Sequence, residues 1–425
     1  MVLNKWMLEE NDMEAPEKKS VIRRVISAVL AVFLLAAVFC GCIGGLVKDP
    51  RALLESLKTY RAREYLPEGR TDFFDMTSAR LASLESQLGR QLPLNDEMSE
   101  LNADFQFGLN KRTIVSGSQV MYRLPNGQLY YLSQYETLRD QAEAVADFYR
   151  GLNGTVPFLF CYIHPGFFNG GFALPEGYDV IDRGDELGDE ILAIMRSAGA
   201  ETMDSRTFFE GTGYTNDDLE LKTDKHWTSL AALLAARLYA EKINELTGAH
   251  LDASRLDPGN FRTERARLPY DGSYGRKIGH NATLDDVTIY VPDHATELTR
   301  HTLEHTGKYV SASGPFEESV LRKNKLVSEE NGVNTEAHMA LGLTLGYEEI
   351  VNHGACEDLT VLVVRDSYTC PICAYLSLLT RRVVSVDLRY DDRSVSQLME
   401  QCEPDIVIVS LSRMMMETVD IRGRF

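Results

Sequence analysis

An aspartate and a histidine two residues apart are the first pair in this sequence that could do chemistry. Asp224 and His226 lie in the stretch Lys-Thr-Asp-Lys-His-Trp-Thr that begins at residue 222. In an extended segment, side chains two residues apart point the same way. The carboxylate can then fix the tautomer of the imidazole and stabilise its cation. The pair therefore predicts a general base, which needs a nucleophile.

Ser367 is the candidate nucleophile. It follows the apolar run 359–364, which predicts a buried strand, and it precedes a helix predicted at 372–380. In open α/β folds such a turn exposes its side chain at the carboxyl edge of the sheet, where ligands bind. The start of the next helix supplies N–H groups for a developing oxyanion. Ser367 could also be only the cap of that helix, and residue types alone leave both interpretations open.

The elements around these residues predict an α/β domain with a mainly parallel sheet, because strands and helices alternate. Thr228 or Ser229 can cap the helix after His226, and Gly248 is its natural end. The segment 249–355 is more irregular and predicts an insertion with short strands. Asn126-Gly127 between two β-prone runs predicts a hairpin. The predicted strands are 156–163, 200–204, 359–364, 383–387 and 406–411, and the other predicted helices are 138–152, 185–197, 230–246 and 394–401.

The N-terminal part of the chain predicts export. Val25 to Val47 is a run without charge that is longer than the ~20 residues a transmembrane helix needs, and basic residues precede it. A cleaved secretory signal, or a lipoprotein signal ending before Cys42, are the alternatives. All three place the main domain outside the cytoplasm. We expect a cytoplasmic tail, a transmembrane signal anchor, a helical stalk leading into the domain and the domain itself at 1–20, 21–47, 48–110 and 111–425.

Composition narrows the function classes. The 425 residues include 44 basic and 63 acidic side chains, and the net charge of -19 argues against nucleic acid as a partner. Seven cysteines are too few for a disulfide scaffold. Cys370 and Cys373 could form a disulfide or redox pair, or could be two small buried residues.

A zinc-peptidase pattern, His-x-x-Glu-His, begins at His301 and ends at His305. It requires a helix, and its flanks offer no apolar stripe that could bury one. We therefore predict no metal site and no cofactor.

Five short segments follow one another along the chain: Asn126-Gly-Gln-Leu129, Thr223-Asp-Lys-His-Trp-Thr228, Asp271-Gly-Ser-Tyr-Gly275, Val364-Arg-Asp-Ser-Tyr368 and Val386-Asp-Leu-Arg-Tyr390. In this order they resemble the DHHW family of bacterial exported proteins. They are also similar to the alginate O-acetyltransferase accessory proteins that have an SGNH-hydrolase-like domain. The similarity spans roughly residues 80–415. Lys225 replaces the first His of the four-letter signature, and Arg365 replaces the Gly of the usual nucleophile block.

This resemblance implies a three-layer SGNH-hydrolase-like fold and O-acyl chemistry on cell-surface carbohydrate. Ser367 would accept the acyl group, His226 would carry the proton, and Asp224 would orient His226. A membrane-bound O-acyltransferase is the implied partner that supplies acyl groups. We expect a membrane-anchored, extracytoplasmic O-acetyltransferase or acetylesterase. The alternative is a non-catalytic carbohydrate-binding or assembly factor of a polysaccharide acetylation system.

Three more residues are candidate substrate-binding or oxyanion residues: Arg389, Trp227 and Tyr368. Arg389 could hold a carboxylate or sugar hydroxyl, or support the oxyanion, but it could equally form a salt bridge on a loop. Trp227 could stack on a sugar ring, although packing of its loop against the core is the favoured interpretation.

Overall fold

The computed structural model describes residues 95–425, except for 117–118, 134, 167–173, 177–181, 304–308 and 343–345. Residues 99–425 form one compact unit. The strands are β1 (Thr113–Ser116), β2 (Gln119–Arg123), β3 (Leu129–Leu132), β4 (Phe158–Ile163), β5 (Glu201–Asp204), β6 (Phe261–Arg265), β7 (Thr288–Pro292), β8 (Leu298–Leu303), β9 (Tyr309–Gly314), β10 (Tyr347–Asn352), β11 (Glu357–Arg365), β12 (Thr380–Val386) and β13 (Ile406–Ser412). The helices are α1 (Asn95–Gly108), α2 (Arg139–Leu152), α3 (Gly184–Ser197), α4 (Asn216–Leu219), α5 (Ser229–Thr247), α6 (Phe316–Ser319), α7 (Lys323–Leu326), α8 (Cys370–Leu376), α9 (Val395–Cys402) and α10 (Arg413–Thr418).

The main sheet has eight strands in the order β5-β4-β13-β11-β12-β10-β8-β9. The first five are parallel, as the alternation of strands and helices predicts. The other three are antiparallel, so the sheet is mixed and the prediction of a mainly parallel sheet is wrong at this end. These three strands come from the segment that the sequence predicts to be an insertion. Side chains of β9 are alternately exposed and half-buried, which is typical of an antiparallel edge.

Two hydrophobic layers cover the sheet. Helices α5 and α8 pack on one face, where side chains such as Val361 and Ile408 point. Helices α2, α3, α9 and α10 pack on the other face, against Leu362 and Val409 among others. Every residue of β4 and β13 is buried, which explains why both strands read as continuous apolar runs. The domain therefore has three layers, as an SGNH-hydrolase-like fold requires.

Local signals account for most element boundaries. The Thr228 hydroxyl accepts a hydrogen bond from the Ala231 N–H and caps α5, which ends at Gly248 with φ 74°. The β2–β3 hairpin at Gly127 is confirmed. Helix α8 is shorter than predicted, because Thr380 already begins strand β12.

Four sequence features lie wholly or partly outside the described residues. The predicted tail at 1–20 and the predicted anchor at 21–47 are two of them, and no helix in the described ranges is long and apolar enough to cross a membrane. Only the end of the predicted stalk is described, within α1. Of the zinc-peptidase pattern, His301 lies on strand β8, where its Nδ1 is 2.7 Å from the Ser311 hydroxyl, and Glu304 and His305 are outside. An extended strand does not present the pattern as a helix does.

Candidate active site

The structure brings Asp224, His226 and Ser367 together in one chain of hydrogen bonds. His226 Nδ1 lies 2.6 Å from Asp224 Oδ1, and His226 Nε2 lies 2.8 Å from Ser367 Oγ. Because a carboxylate only accepts, Nδ1 carries the proton and donates it to Asp224. In the neutral imidazole Nε2 then carries no proton and accepts a hydrogen bond from the Ser367 hydroxyl. This arrangement can activate a serine as a nucleophile.

The Asp-His pair arises from a turn, whereas the sequence argument assumed an extended segment. Residues 222–226 form consecutive bends, and the loop is closed by a bridge between Glu220 and Trp227. Asp224 Oδ1 also accepts the backbone N–H of His226, at 3.2 Å. The same carboxylate oxygen thus fixes both the backbone and the ring of His226. The two-residue spacing allows this because the chain turns between Asp224 and His226.

Asp224 is buried and uses its second oxygen as well. Oδ2 accepts the Ser273 N–H at 2.8 Å and the Tyr270 hydroxyl at 3.1 Å. Burial alone would raise the pKa of Asp224, but the facing His226, with smaller effects of His338 and the Ser273 N–H, holds this pKa well below its ordinary value. Asp224 is therefore an ionised acceptor at neutral pH.

Residues 222–226, here called the base loop, are held in place by contacts with the segment 270–285. Asp285 accepts the Lys222 N–H at 2.7 Å, and the Thr223 N–H and hydroxyl at 2.9 and 2.5 Å. Gly272 packs directly on the loop, since a Cβ there would lie 2.4 Å from the Thr223 carbonyl oxygen and 2.6 Å from the Asp224 Cβ. Only glycine permits this close approach. The segment Asp271-Gly-Ser-Tyr-Gly275, one of those that resemble the family, thus helps to hold the loop that carries His226.

Residues 366–368 form the turn that carries Ser367, here called the nucleophile turn, and contacts with the sheet hold it in place. Asp366 Oδ1 accepts the Tyr368 N–H at 3.0 Å, and its Oδ2 accepts the Ser412 N–H at the end of β13, at 2.8 Å. The backbone N–H of Ser367 makes no hydrogen bond with any described residue. That N–H is consequently a candidate donor to an oxyanion formed at Ser367.

An open cleft of about 730 Å³ lies over the three residues. Cationic side chains and glutamates both border it. Lys225 and Arg276 form no ion pair with a described residue, and burial lowers the pKa of Lys225. The charged residues that line the cleft, besides Asp224, are Lys225, Arg276, Arg389, Glu329, Glu330 and Glu336. The cleft is therefore polar and large enough for a sugar unit.

Arg389 forms the salt bridge that the sequence left open, and it also borders the cleft. It lines the cleft, and its guanidinium donates to both oxygens of Asp387, at 2.9 and 2.6 Å. Arg365, which departs from the family pattern, is 1% exposed and lies 3.7 Å from the same carboxylate. Arg365 thus belongs to a buried ion cluster behind the cleft and leaves the space at Ser367 open.

The other two predicted residues, Trp227 and Tyr368, are buried, and both border the small cavity beside the cleft rather than the cleft itself. The Trp227 indole is buried and donates to the Tyr368 carbonyl oxygen at 2.9 Å, so it packs the base loop against the nucleophile turn. The Tyr368 ring is 3% exposed and lies against the His226 ring, and its N–H is occupied by Asp366. For Trp227 this agrees with the favoured interpretation of the sequence, which is packing of its loop, whereas no sequence pattern indicates that the Tyr368 ring is buried.

Sequence reasoning missed His338. Its ring stacks on that of His226, with centroids 5.0 Å apart and planes at 23°, and its Nδ1 lies 2.7 Å from the Tyr270 hydroxyl. Burial lowers the pKa of His338 to about 4, so it is neutral at pH 7. It sits in an irregular segment without any pattern that marks it.

Donor atoms of Asp224, His226 and His338 lie within 4.8 Å of one another, a spacing a metal ion could bridge, but hydrogen bonds already engage all three residues.

Cys370 and Cys373 are buried free thiols at the start of α8. Burial raises the pKa of both, to about 11 for Cys370. Of the alternatives left open by the sequence, the structure fits two small buried residues.

Comparison with known proteins agrees with this architecture. Residues 176–318 match the SGNH hydrolase-like domain of acetyltransferase AlgX. The structure of a DHHW family protein from Eubacterium siraeum superposes with a TM-score of 0.55 at 15% identity, covering 74% of this chain and 96% of that one. Bacillus cereus PatB1, solved with a sulfonyl adduct, gives 0.57 at 16% identity, covering 73% and 99%. No curated protein matches the chain by sequence.

At such identities the two structures show a shared fold, and the matched domain adds sequence evidence for it. The resemblance of this chain to the DHHW family and to the SGNH-hydrolase-like domain of alginate O-acetyltransferase proteins is therefore confirmed.

Proposed function

We propose that this protein is an O-acetyltransferase or acetylesterase that acts on cell-surface polysaccharide through an acyl-enzyme on Ser367. The observation that carries the proposal is the continuous relay from Asp224 through His226 to Ser367 at the floor of an open cleft. The similarity of residues 176–318 to an acetyltransferase domain supports acetyl as the acyl group.

The first half-reaction forms the acyl-enzyme. Ser367 Oγ attacks the ester carbonyl of the donor while its proton passes to His226 Nε2, and Asp224 stabilises the resulting imidazolium. The Ser367 N–H and Arg389 are the proposed donors to the oxyanion. The tetrahedral intermediate then expels the donor alcohol, which takes the proton from His226, and the acyl group stays on Ser367.

The second half-reaction reverses these roles. A sugar hydroxyl, or water in the esterase case, gives its proton to His226 Nε2 and attacks the acyl carbon. The bond to Ser367 Oγ breaks, and the proton on His226 returns to that oxygen. The acyl group leaves on the sugar, or as the free acid.

The proposal extends to the location and the partner of the protein. We propose that residues 21–47 anchor it in the cell membrane, that 1–20 are cytoplasmic, and that 48–110 connect the anchor to an extracytoplasmic domain at 111–425. A protease added to cells with a permeable wall should then degrade the domain, and protection until the membrane is opened would contradict this topology. A membrane-bound O-acyltransferase would supply acyl groups, so polymer acetylation should require both proteins.

A sulfonyl fluoride tests the nucleophile directly. We expect phenylmethanesulfonyl fluoride to add one sulfonyl group to the full-length protein, at Ser367 on the peptide map, with loss of fluoride. Ser367→Ala should abolish labelling and reduce the turnover of p-nitrophenyl acetate by about 10⁴-fold or more, because serine and histidine of such a relay act as a unit. Ser377→Ala, a buried serine outside the cleft, is the control and should keep both activities.

The alternative is a non-catalytic carbohydrate-binding or assembly factor with the same fold. If the wild-type protein and Ser367→Ala are equally inert towards the sulfonyl fluoride and acetyl esters, the enzyme proposal fails and this alternative takes its place.

A further inference from the structure

The tautomer of His338 follows from its neighbours. Asp224 is ionised and can only accept, so the Tyr270 hydroxyl donates its single proton to Asp224 Oδ2. The Tyr270 oxygen then accepts from His338, and the 2.7 Å contact places the His338 proton on Nδ1. Nε2 of His338 is therefore left with a lone pair.

The side chain that carries this lone pair borders the active-site cleft. The His338 side chain lines the cleft together with His226 and Ser367. It also lines a small adjoining cavity of about 20 Å³ that the same two residues border. Nδ1 is held by Tyr270, and Nε2 makes no hydrogen bond with any described residue. A neutral acceptor of fixed tautomer thus stands beside the base and the nucleophile without a partner of its own.

We propose that His338 Nε2 binds the acceptor by accepting a hydrogen bond from a hydroxyl adjacent to the one that attacks. This inference rests on the proposed function, because it concerns the second half-reaction on the acyl-enzyme. The attacking hydroxyl has one proton, which must pass to His226 Nε2, so it has none left for His338. A second hydroxyl on the neighbouring carbon supplies one. The acceptor class is accordingly a vicinal diol, as in a sugar ring with two adjacent free hydroxyls.

Two small acceptors test this in competition. The full-length protein in detergent receives p-nitrophenyl acetate as donor, with propane-1,2-diol and propan-1-ol together at equal concentration. Both compete for the same acyl-enzyme, so any effect on its formation cancels in the ratio of the two acetyl esters. We expect the wild type to favour the diol over the ratio found for uncatalysed acetylation.

Variants of His338 then change that ratio. His338→Asn keeps an N–H for Tyr270 and removes the acceptor at Nε2, and we expect the ratio to fall about fivefold, the value of one hydrogen bond. His338→Gln can return an amide oxygen near that position and should recover part of the preference. His353→Asn, at an exposed histidine outside the cleft, is the matched control and should keep the wild-type ratio.

The outcomes separate this inference from the proposed function. A wild type that acetylates Ser367 but shows no preference for the diol overturns the inference alone, as does a His338→Asn variant with the wild-type ratio. A wild type in which Ser367 is never acetylated, by mass spectrometry of the peptide after rapid quenching, overturns the proposed function and the inference with it.

Discussion

The two halves of the candidate active site are held by different parts of the molecule. The nucleophile turn is fixed by the parallel core, since Asp366 links it to the end of β13. The base loop is fixed by the irregular segment at 270–285, through Asp285 and Gly272. The difference teaches that the orientation of the base is separable from the position of the nucleophile. Changes in the irregular segment should therefore disturb His226 while the sheet keeps Ser367 in place.

Gly272→Ala should give the largest effect. Its Cβ would meet backbone and Cβ atoms at 2.4 and 2.6 Å, and neither can move without shifting the base loop. We expect the free energy of unfolding to fall by more than about 3 kcal/mol, or the loop to move and acetyl-ester turnover to fall at least tenfold. Urea unfolding and initial rates measure the two. Gly151→Ala, a helix position with open space around it, is the control, and it should leave stability unchanged or slightly higher. Wild-type stability and turnover in Gly272→Ala would contradict the close packing.

Asp285→Ala should give the next largest effect, because it leaves the Lys222 and Thr223 N–H groups without their acceptor. We expect a loss of about 2 to 3 kcal/mol in the free energy of unfolding. Hydrogen exchange should increase in the peptide around His226 and stay slow in the strand before Ser367. Asp286→Ala removes only an exposed ion pair with Arg265 and serves as the control.

In Asp285→Ala, an equal increase of hydrogen exchange in the peptide around His226 and in the strand before Ser367 would contradict the separate support of the two halves. The two halves would then open as one cooperative unit, and the irregular segment would have no separate role.

The smallest effect concerns pH. The pKa of His338 is about 4 when folded and near 6.5 when unfolded, so the unfolded chain binds a proton between these values that the native protein does not. Stability should therefore fall as the pH drops from 6.5 to 4. Since the ring borders the open cleft, we expect about 1 to 2 kcal/mol from this group.

His338→Asn should flatten the dependence of the urea midpoint on pH in that window. Part of the dependence should persist, because burial lowers the pKa of His164 to about 4 as well, and His164 does not line the cleft. A pH profile identical to that of the wild type would show that His338 titrates normally.

The parallel half of the fold was predictable because its central strands are buried on both faces. β4, β11 and β13 are apolar runs bounded by turns, so composition alone marks them. β8 and β9 pair antiparallel at the edge and carry polar residues on half-exposed faces, so no apolar run marks them. Their pairing with β10 depends on long-range contacts that no local pattern encodes.

The same division applies to the site. Asp224 and His226 could be predicted as site residues from their spacing, and Ser367 from its position after a predicted buried strand. Tyr270 and His338 are 68 residues apart in irregular segments, and their contact is created only by the fold. Asp285 likewise acts on a loop 62 residues earlier in the chain. Single polar residues of this kind carry no periodic signal, so they could not be predicted.

The order of strands in the sheet has a consequence for folding during synthesis of the chain. β13 is the last strand in the chain, yet it lies between β4 and β11, and its end ties down the turn that carries Ser367. His226 and Ser367 themselves are 141 residues apart. A chain emerging from its N-terminus therefore cannot close its core until residue 412 has arrived, and long-range closure of this kind is slow. A chain that has been synthesised only to a point before residue 412 therefore lacks the contact that fixes the turn carrying Ser367.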